Sequence, residues 1–196
     1  MTIPMTEQML ARFQQGFERA QAADIPEPNA MTLATVDARG QPSARVVLLK
    51  DADQGGFVFY TNLNSRKGRD LAANPAAGLV LWWRETAEQV LVEGVVEPVS
   101  SVEADAYFAS RPRGSQIGAW ASLQSQTMAD RQELIDRIAE IEARYEGREV
   151  PRPEHWSGFR LRPHRVEFWY GREFRLHERV CYEIGKEQWT ETLLYP

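Results

Sequence analysis

Short segments rich in β-branched and aromatic residues, joined by tight turns, recur through most of this chain. The first two, residues 31–36 and 43–49, flank the turn sequence Asp-Ala-Arg-Gly and therefore predict a β-hairpin. Further strands are predicted at residues 57–60, 77–83, 89–98, 158–161, 166–170, 174–182 and 189–194. Together these segments predict a mainly antiparallel sheet of about six to eight strands, with helices between them, closed or split into a barrel.

Helical spacing and capping residues mark the segments between these strands. Helices are predicted at residues 6–23, 65–74, 101–110 and 128–145. The third is supported by Ser100 and Glu103, which have the spacing of a capping box. Because no linker is long enough to separate two folding units, we expect residues 1–30 to form a helix and linker packed on the barrel, and residues 31–196 to form the barrel domain.

Composition and charge exclude several classes of protein. With 43% hydrophobic residues the chain can bury a real core, and a net charge of -5 argues against a general nucleic-acid binder. Its one cysteine, Cys181, rules out an intramolecular disulfide and a cysteine-rich metal site. We find no apolar run of membrane-spanning length, no export signal, no dinucleotide or Walker loop and no zinc-protease motif, and we therefore predict a cytoplasmic protein without a resident metal.

The stretch Phe-Arg-Leu-His-Glu-Arg at residues 174–179 is the strongest sign of a bound ligand. On a regular strand, alternation would put Arg175, His177 and Arg179 on one face. Two guanidinium groups beside an imidazole are costly to bury without an anionic partner, so a bound phosphate, carboxylate or electron-rich ring would suit that face. The alternative is a solvated sheet face with unrelated charges.

Two further segments place cations next to polar or apolar structure. Arg45 and Lys50 have odd spacing, which puts them on opposite faces of a regular strand, where they could bind two different anions. Arg66 and Lys67 stand at the predicted start of the second helix, where free N–H groups and hydroxyls would converge with them on a phosphate. Solvated strand ends and an exposed turn are the alternatives for these two segments.

A third cluster follows in the next helix. Tyr107 and Arg111 are four residues apart and so share a helical face, and Ser115 follows the break at Pro112. A phenol, a guanidinium and a hydroxyl could hold a second phosphate, whereas a helix end with a surface arginine is the alternative. These residues by themselves predict two anion sites and do not identify the ligands.

Several stretches, in order along the chain, resemble the pyridoxamine 5′-phosphate oxidase family. They are residues 45–50, 60–67, 107–120, 124–125, 151–159 and 167–179. The match runs from about Met31 to Pro196, and its motifs are in register, which makes chance agreement implausible. The resemblance implies a homodimeric, FMN-binding split β-barrel with two FMN molecules at the subunit interface, in which residues 31–196 include the family's C-terminal dimerisation region.

The resemblance also implies which residues bind the cofactor and the substrate. The FMN phosphate would be held by Arg45, Arg66, Lys67 and Ser125. The rest of FMN would be surrounded by Val46, Val47, Leu48, Leu49, Lys50, Tyr60, Thr61, Gln89, Gln124, Trp169 and Arg179. The substrate would be held by Lys50, Tyr107, Arg111 and Ser115 at its phosphate and by Arg175, Leu176 and His177 at its pyridine ring.

The reaction implied by the resemblance is the oxidation of pyridoxine 5′-phosphate or pyridoxamine 5′-phosphate to pyridoxal 5′-phosphate. A hydride would pass from C4′ of the substrate to N5 of the flavin, and O2 would reoxidise the flavin with release of H2O2. Arg175 and His177 would be the catalytic residues, which position the substrate and ease the loss of its proton.

One departure from the family and two other functions remain open. Family members often carry a longer amino-terminal segment that folds over the active site, but only about thirty residues precede the first barrel strand here, so we expect a reduced lid. The alternatives are a split-barrel flavin oxidoreductase with another substrate and a non-catalytic protein that binds pyridoxal 5′-phosphate or FMN. The second phosphate cluster argues against the former, and a full set of FMN residues argues against the latter.

Overall fold

In the computed structural model, which describes residues 3–196, nine strands form one curled antiparallel sheet. The strands are β1 (Ala30–Val36), β2 (Pro42–Leu48), β3 (Asp51–Asp53), β4 (Gly56–Asn62), β5 (Ala76–Trp83), β6 (Glu88–Pro98), β7 (Trp156–Tyr170), β8 (Glu178–Ile184) and β9 (Trp189–Leu194). Their order is β2-β1-β5-β6-β7-β4-β3, while β8 pairs with β7 and β9 pairs with β8. The predicted antiparallel split barrel is confirmed, although β3 is too short to give a sequence pattern and was missed.

The strand β7 is longer than the sequence predicted. Residues 158–161 and 166–170, predicted as two strands, belong to this single strand of 15 residues. Pro163 lies in its middle, opposite a register shift between Glu93 and Gly94 of β6. A proline has no N–H to give to a sheet and is tolerated at such a bulge. Gly94 is required there because a Cβ atom would lie 2.2 Å from a carbonyl oxygen of β7.

One edge of β7 pairs with a single strand, whereas the other edge pairs with two strands in succession, and the barrel is split between those two strands. One edge pairs with β6 from Tyr170 back to Phe159. The other edge is divided, because residues 156–161 pair with β4 and residues 165–170 pair with β8. Strands β4 and β8 therefore diverge from a shared neighbour, and the two ends of β7 lie in different surroundings.

Five helices are present in the described part of the chain. They are α1 (Glu7–Ala22), α2 (Arg66–Ala73), α3 (Ser101–Ser110), α4 (Arg113–Ala121) and α5 (Arg131–Arg144). The four predicted helices are confirmed, but α4 was not predicted as a helix because it contains two glycines and its first residues have no side-chain cap. None of the helices between residues 3 and 196 is long and apolar enough to cross a membrane.

The strand predicted over residues 174–182 begins only at Glu178. The register pairs Tyr170 with Glu178, so the chain must reverse direction within residues 171–177. Phe174 and Arg175 lie in a short 3-10 turn and have left-handed φ angles of 56° and 60°. The prediction that Arg175, His177 and Arg179 share one strand face was therefore wrong.

The main hydrophobic core lies between α1 and the concave side of the sheet. Phe13 of α1 is buried, and the edge of its ring packs on Phe57 of β4 with a centroid separation of 5.2 Å. The segment before α1 is also attached, because Trp189 of β9 donates from Nε1 to the carbonyl oxygen of Pro4 at 2.8 Å. The amino-terminal helix is thus an integral part of the packing of the barrel.

Candidate functional site

A cleft of about 690 Å³ opens at the end of β7 that begins with Trp156. Strands β2 and β4 form one side of it, and α3, α4 and the segment after α4 form the other. Many of the predicted site residues line this cleft: Val46, Val47, Leu48, Lys50, Tyr60, Thr61, Lys67, Tyr107, Arg111, Ser115 and Gln124. Segments far apart in the sequence, which were predicted separately, therefore meet in one cavity.

A larger hollow of about 1060 Å³ lies beside α4 and α5 and shares only Arg111 with the predicted site residues. Its other arginines already have hydrogen-bond partners: Arg113 donates to the carbonyl oxygens of Tyr145 and Arg148 at 2.7 and 2.9 Å, and Arg148 donates to the carbonyl oxygen of Arg144. Three glutamates also line the hollow. The cleft, with its unpaired cations, is the better candidate for a site that binds anions.

Three stacked aromatic rings form an apolar wall of the cleft. The centre of the Tyr60 ring lies 4.0 Å from the centre of the Tyr107 ring and 5.4 Å from the centre of the Trp156 ring, and the Tyr60 ring is nearly parallel to both. Gly158 lies opposite Tyr60 in the sheet, and a Cβ atom there would come within 2.7 Å of the Tyr60 ring. Burial raises the pKa of Tyr60 to about 12, so its hydroxyl stays protonated at neutral pH.

A cation without a counter-ion stands against this wall. The guanidinium carbon of Arg111 is 4.6 Å from the centre of the Trp156 ring. Within residues 3–196, its Nη1 atom is buried and has no hydrogen-bond partner, and burial lowers its pKa. Lys50 approaches the same wall, with Nζ 5.9 Å from the centre of the Tyr107 ring. An anion bound between these two cations would satisfy the unpaired nitrogen.

A third cation, Lys67, lies at the α2 side of the cleft. Nζ of Lys67 donates to Oε1 of Gln124 at 2.9 Å and to Oγ of Ser65 at 3.3 Å. Thr61 also reaches Oε1 of Gln124, at 3.5 Å. Burial, together with the positive charge of Arg45, lowers the pKa of Lys67 to about 8. No carboxylate of the described residues forms an ion pair with Lys67, so this corner can also take an anion.

Arg45 lies behind this corner rather than in the cleft. Its Nη1 donates to Oγ1 of Thr35 at 2.7 Å, and its Nη2 is 3.5 Å from a carboxylate oxygen of the buried Asp70. Burial lowers the pKa of Arg45, an effect that Asp70 opposes. Because β2 ends at Leu48, Lys50 lies beyond the strand, and the predicted alternation of Arg45 and Lys50 across it does not apply.

Three other predicted residues border the cleft without lining it. Arg66 is exposed at the first position of α2, and Ser125 is exposed with a left-handed φ of 71° in the turn after α4. The side chain of Leu49 is buried in the main core. A role for Leu49 at a ligand would therefore use its backbone.

The remaining predicted residues lie together at the opposite end of β7. Gln89 of β6 is directly opposite Trp169 of β7, which is directly opposite Arg179 of β8. Directly opposed residues point to the same face of a sheet, so these side chains stand next to each other. The ring of His177 lies 4.4 Å from that of Trp169. We call Gln89, Trp169, His177 and Arg179 the sheet-end row; Arg175 and Leu176 are exposed in the turn beside it.

The cleft and the sheet-end row do not meet within one chain. Trp156 and Trp169 are separated by about 40 Å of extended strand, at ~3.3 Å per residue. Arg175 and His177 therefore do not line the cleft of their own chain. The structure brings the predicted residues together as two groups instead of one.

Sequence reasoning missed several residues that line the cleft. Trp156 completes the aromatic wall, and Asn62 donates from Nδ2 to the carbonyl oxygen of Ser122 at 3.4 Å, which ties β4 to the segment after α4. The position of Trp156 depends on the pairing of β4 with β7, which no local pattern reports. The continuous apolar run of residues 57–60 could have indicated a strand buried on both faces that ends at Asn62.

A split barrel with an aromatic-walled cleft and unpaired cations at two places defines a protein that binds ring-containing phosphate ligands. Comparison with known proteins agrees with this class. Residues 17–145 match the model of the pyridoxamine 5′-phosphate oxidase family, and residues 156–196 match that of the pyridoxine 5′-phosphate oxidase C-terminal dimerisation region. The chain belongs to the pyridoxamine 5′-phosphate oxidase family.

Individual relatives are similar over nearly the whole chain. The pyridoxine/pyridoxamine 5′-phosphate oxidase of Myxococcus xanthus is 58% identical over 95% of this chain and 91% of its own length. The enzyme of the same name from Acaryochloris marina is 56% identical over 95% of this chain and 85% of its own length. The crystal structure of PhzG from Burkholderia lata, in complex with tetrahydrophenazine-1-carboxylic acid, has a TM-score of 0.90 at 35% identity and covers 95% of this chain and 91% of PhzG. A related FMN-binding protein of Nostoc punctiforme, with a TM-score of 0.74 at 15% identity over 94% of this chain and 97% of its own, shares the fold.

Proposed function

We propose that this protein oxidises pyridoxine 5′-phosphate or pyridoxamine 5′-phosphate to pyridoxal 5′-phosphate with FMN as its cofactor. The relatives that share more than half of its residues carry the name of this activity. The observation that carries the proposal is the buried, unpartnered Nη1 of Arg111 in a cleft whose other side holds Lys67, a cation with no carboxylate partner among the described residues. Cofactor and substrate each bring one phosphate, and two separate cationic corners suit them.

The residues at the α2 side of the cleft fit the phosphate of FMN. Lys67 offers a partly buried ammonium group, and Arg45 and Arg66 add positive charge at the start of the same helix. Ser125 follows Gln124 in the adjoining turn and would add a hydroxyl. When bound, FMN supplies the acceptor for the hydride that leaves C4′ of the substrate, and we propose O2 as the final oxidant, with H2O2 as its product.

The polar groups beside the aromatic wall fit the substrate phosphate. Arg111 would donate from its unpartnered nitrogen, while Lys50, Tyr107 and Ser115 would complete the anion site. Their position at one end of the cleft would leave the apolar wall for the rings of the ligands and would keep water from them.

Arg175 and His177 would act at the substrate ring. Nδ1 of His177 accepts a hydrogen bond from the backbone N–H of Arg172 at 3.2 Å, so in a neutral imidazole the proton is held at Nε2. From Nε2 the side chain would donate to a polar group of the substrate. Arg175 would place its fixed positive charge near the ring and ease the loss of a proton there.

Because these two residues lie far from the cleft of their own chain, we propose a two-fold homodimer in which the sheet-end row of one subunit completes the cleft of the other. Phe174, Leu176 and Leu193 near the row are 87%, 67% and 75% exposed in the single chain, as expected for side chains that a partner covers. The match of residues 156–196 to a dimerisation region supports the same arrangement. The division at residue 30 and a cytoplasmic location remain predictions from the sequence.

The activity is tested by mixing the FMN-loaded protein anaerobically with pyridoxine 5′-phosphate and then admitting air. We expect the visible flavin absorption to bleach, to return with oxygen, and to leave pyridoxal 5′-phosphate in solution. A flavin band that does not change with either phosphorylated substrate would refute the proposed oxidation while leaving the fold and cofactor intact.

The shared site is tested by subunit mixing. At substrate concentrations well below KM, Arg111→Ala and Arg175→Ala are each expected to be nearly inactive, but dimers that contain one subunit of each variant would have one intact site. Random exchange should therefore restore about one quarter of the wild-type activity per subunit. No recovery after verified subunit exchange would contradict a site built from two chains.

A further inference from the structure

Glu167 is a buried charged residue outside the predicted ligand-binding set. It lies in β7, two residues before Trp169, and its side chain is 2% exposed. Its Oε1 accepts from Nε of Arg179 at 2.7 Å, and its Oε2 accepts from Nη2 of Arg179 at 3.1 Å. Burial raises the pKa of Glu167, but hydrogen bonds from Arg179 and Arg165 outweigh that effect and lower it, so the carboxylate stays ionised at neutral pH.

The second partner of Glu167 does not explain why a carboxylate is buried there. Nη2 of Arg165 is 2.7 Å from Oε2 of Glu167, but Arg165 also pairs with Glu93 at 3.0 Å and with Glu183 at 3.1 Å. Arg165 would thus keep counter-ions without Glu167. Buried ion pairs are often no more stabilising than apolar residues of the same size, so stability alone is a weak reason for this one.

The effect of Glu167 on Arg179 is geometric. The carboxylate takes the Nε and Nη2 side of the guanidinium in a two-point contact, and Nη1 donates to the carbonyl oxygen of Tyr195 at 3.0 Å. Contacts on both sides fix the plane of a group that would otherwise rotate among several rotamers. The fixed guanidinium is directly opposite Trp169 in the sheet-end row.

We propose that Glu167 is a positioning residue that holds the guanidinium of Arg179 in the orientation in which the sheet-end row binds FMN. This inference rests on the proposed function, because it takes Arg179 as a residue that contacts FMN. Glu167 itself is covered by its two arginine partners and would act only through Arg179.

A double-mutant cycle tests the coupling between the two residues. Release of FMN from the loaded full-length protein is followed by the recovery of flavin fluorescence on serial dilution, for Glu167→Gln, Arg179→Ala and the double variant. We expect each single variant to bind FMN about ten- to a hundred-fold more weakly, the usual range for a lost hydrogen bond to a charged group. The double variant should be no weaker than Arg179→Ala, and both single variants should shift the absorption band of bound FMN in the same way.

The control is Glu183→Gln, which removes a different partner of Arg165 and leaves the contact to Arg179 in place. It should change neither the FMN affinity nor the flavin band. Additive losses in the double variant, or an equal loss in Glu183→Gln, would show that Glu167 acts through general stability and would overturn the proposal. Unchanged FMN affinity in Arg179→Ala would instead refute the proposed role of Arg179 itself.

If Glu167→Gln does not fold, a measurement on the wild-type chain can still test whether the guanidinium of Arg179 is held in place. Nitrogen NMR of the protein before FMN is added should show the Nε–H of Arg179 as a sharp, slowly exchanging signal, assigned by its loss in Arg179→Lys. A mobile, rapidly exchanging Nε–H would overturn the proposal, because the guanidinium would then not be held in place.

Discussion

The cleft and the sheet-end row hold their cations in opposite ways. In the cleft, Lys67 and Arg111 are partly buried with no carboxylate partner in the described chain, and burial lowers the pKa of both. In the row, Arg179 is paired with a buried glutamate; in the turn beside the row, Arg175 lies exposed with a left-handed φ. The first region is a concave pocket with unpaired charge, whereas the second is an open surface with fixed charge.

This difference indicates how the work of the site is divided. Unpaired, desolvated cations gain most from a phosphate, so the cleft is suited to affinity. A cation fixed by an ion pair gains little from a new anion but has a defined direction, so the row is suited to orientation. Substitutions of the unpaired cleft cations should therefore act mainly on ligand affinity, whereas Arg175→Ala, beside the row, should act mainly on turnover.

The largest effect is expected for Arg175→Ala. Turnover should fall roughly a hundred-fold or more, because a permanent positive charge at the reacting ring is lost, whereas the FMN content of the purified protein should not change. Steady-state kinetics and the flavin-to-protein absorbance ratio check both statements. Arg172→Ala, a change of an exposed arginine in the same turn, is the control. Equal flavin loss in Arg175→Ala and Lys67→Ala would remove the distinction between the two regions.

Arg111→Ala should act on substrate binding. We expect KM for pyridoxine 5′-phosphate to rise about ten- to a hundred-fold with a much smaller change in kcat, because a hydrogen bond to a charged phosphate is lost before and during the reaction. The preference for phosphorylated over unphosphorylated pyridoxine should shrink by the same factor. The matched control is Arg113→Ala, which removes an arginine whose side chain donates to carbonyl oxygens near the end of α5. A change confined to kcat would contradict a phosphate role for Arg111.

The charge of Lys67 should make FMN binding depend on pH. Burial lowers its pKa from 10.5 to about 8, so the free protein loses this positive charge above pH 8, while a bound phosphate would raise the pKa again. Binding then takes up a proton, and FMN affinity should fall about ten-fold between pH 7 and pH 9. In Lys67→Arg the charge persists, and the affinity measured by fluorescence titration should stay nearly level over that range. The same slope in both proteins would assign the effect to another group.

The smallest effect compares two helix caps. Ser65 caps α2 and also contacts Lys67, whereas Ser100 caps α3 and contacts no cleft cation. Either serine replaced by alanine should lower the free energy of unfolding by about 1 kcal/mol, as seen in chemical denaturation. Only Ser65→Ala should also weaken FMN binding, by a few-fold. Equal FMN affinity in the two variants would show that Ser65 acts only as a cap.

Local patterns predicted the elements of this fold well where the signal lies within one segment. The hairpin of β1 and β2, the helix α1 and the capping box of α3 follow from turn sequence, helical spacing and a serine–glutamate pair. The turn at residues 171–177 was predicted as a strand because alternation over a few residues also occurs in a connection between strands. What decides that region is the register of β7 on β8, which is a tertiary property.

The candidate site shows the same limit. The types and spacing of the residues predicted that Lys67, Arg111 and Arg175 bind an anion or an electron-rich ring. Lys67 and Arg111 do line one cleft. Trp156 reaches the wall because β4 pairs with β7, two strands that are distant in sequence. The row of Gln89, Trp169 and Arg179 likewise depends on the pairing of three separate strands. Only the resemblance to a family could group those residues before the structure was known.

In the proposed dimer, the length of strand β7 sets the distance between the two catalytic centres. One end of the strand belongs to one catalytic centre and the other end to the second, so the spacing of the two centres depends on the number of residues between Trp156 and Trp169. One inserted residue would turn every later side chain to the opposite face, and two would lengthen the strand by about 6.6 Å. Both centres would change together, because each depends on both copies of this strand. The length of β7 is thus a constraint shared by the pair of sites.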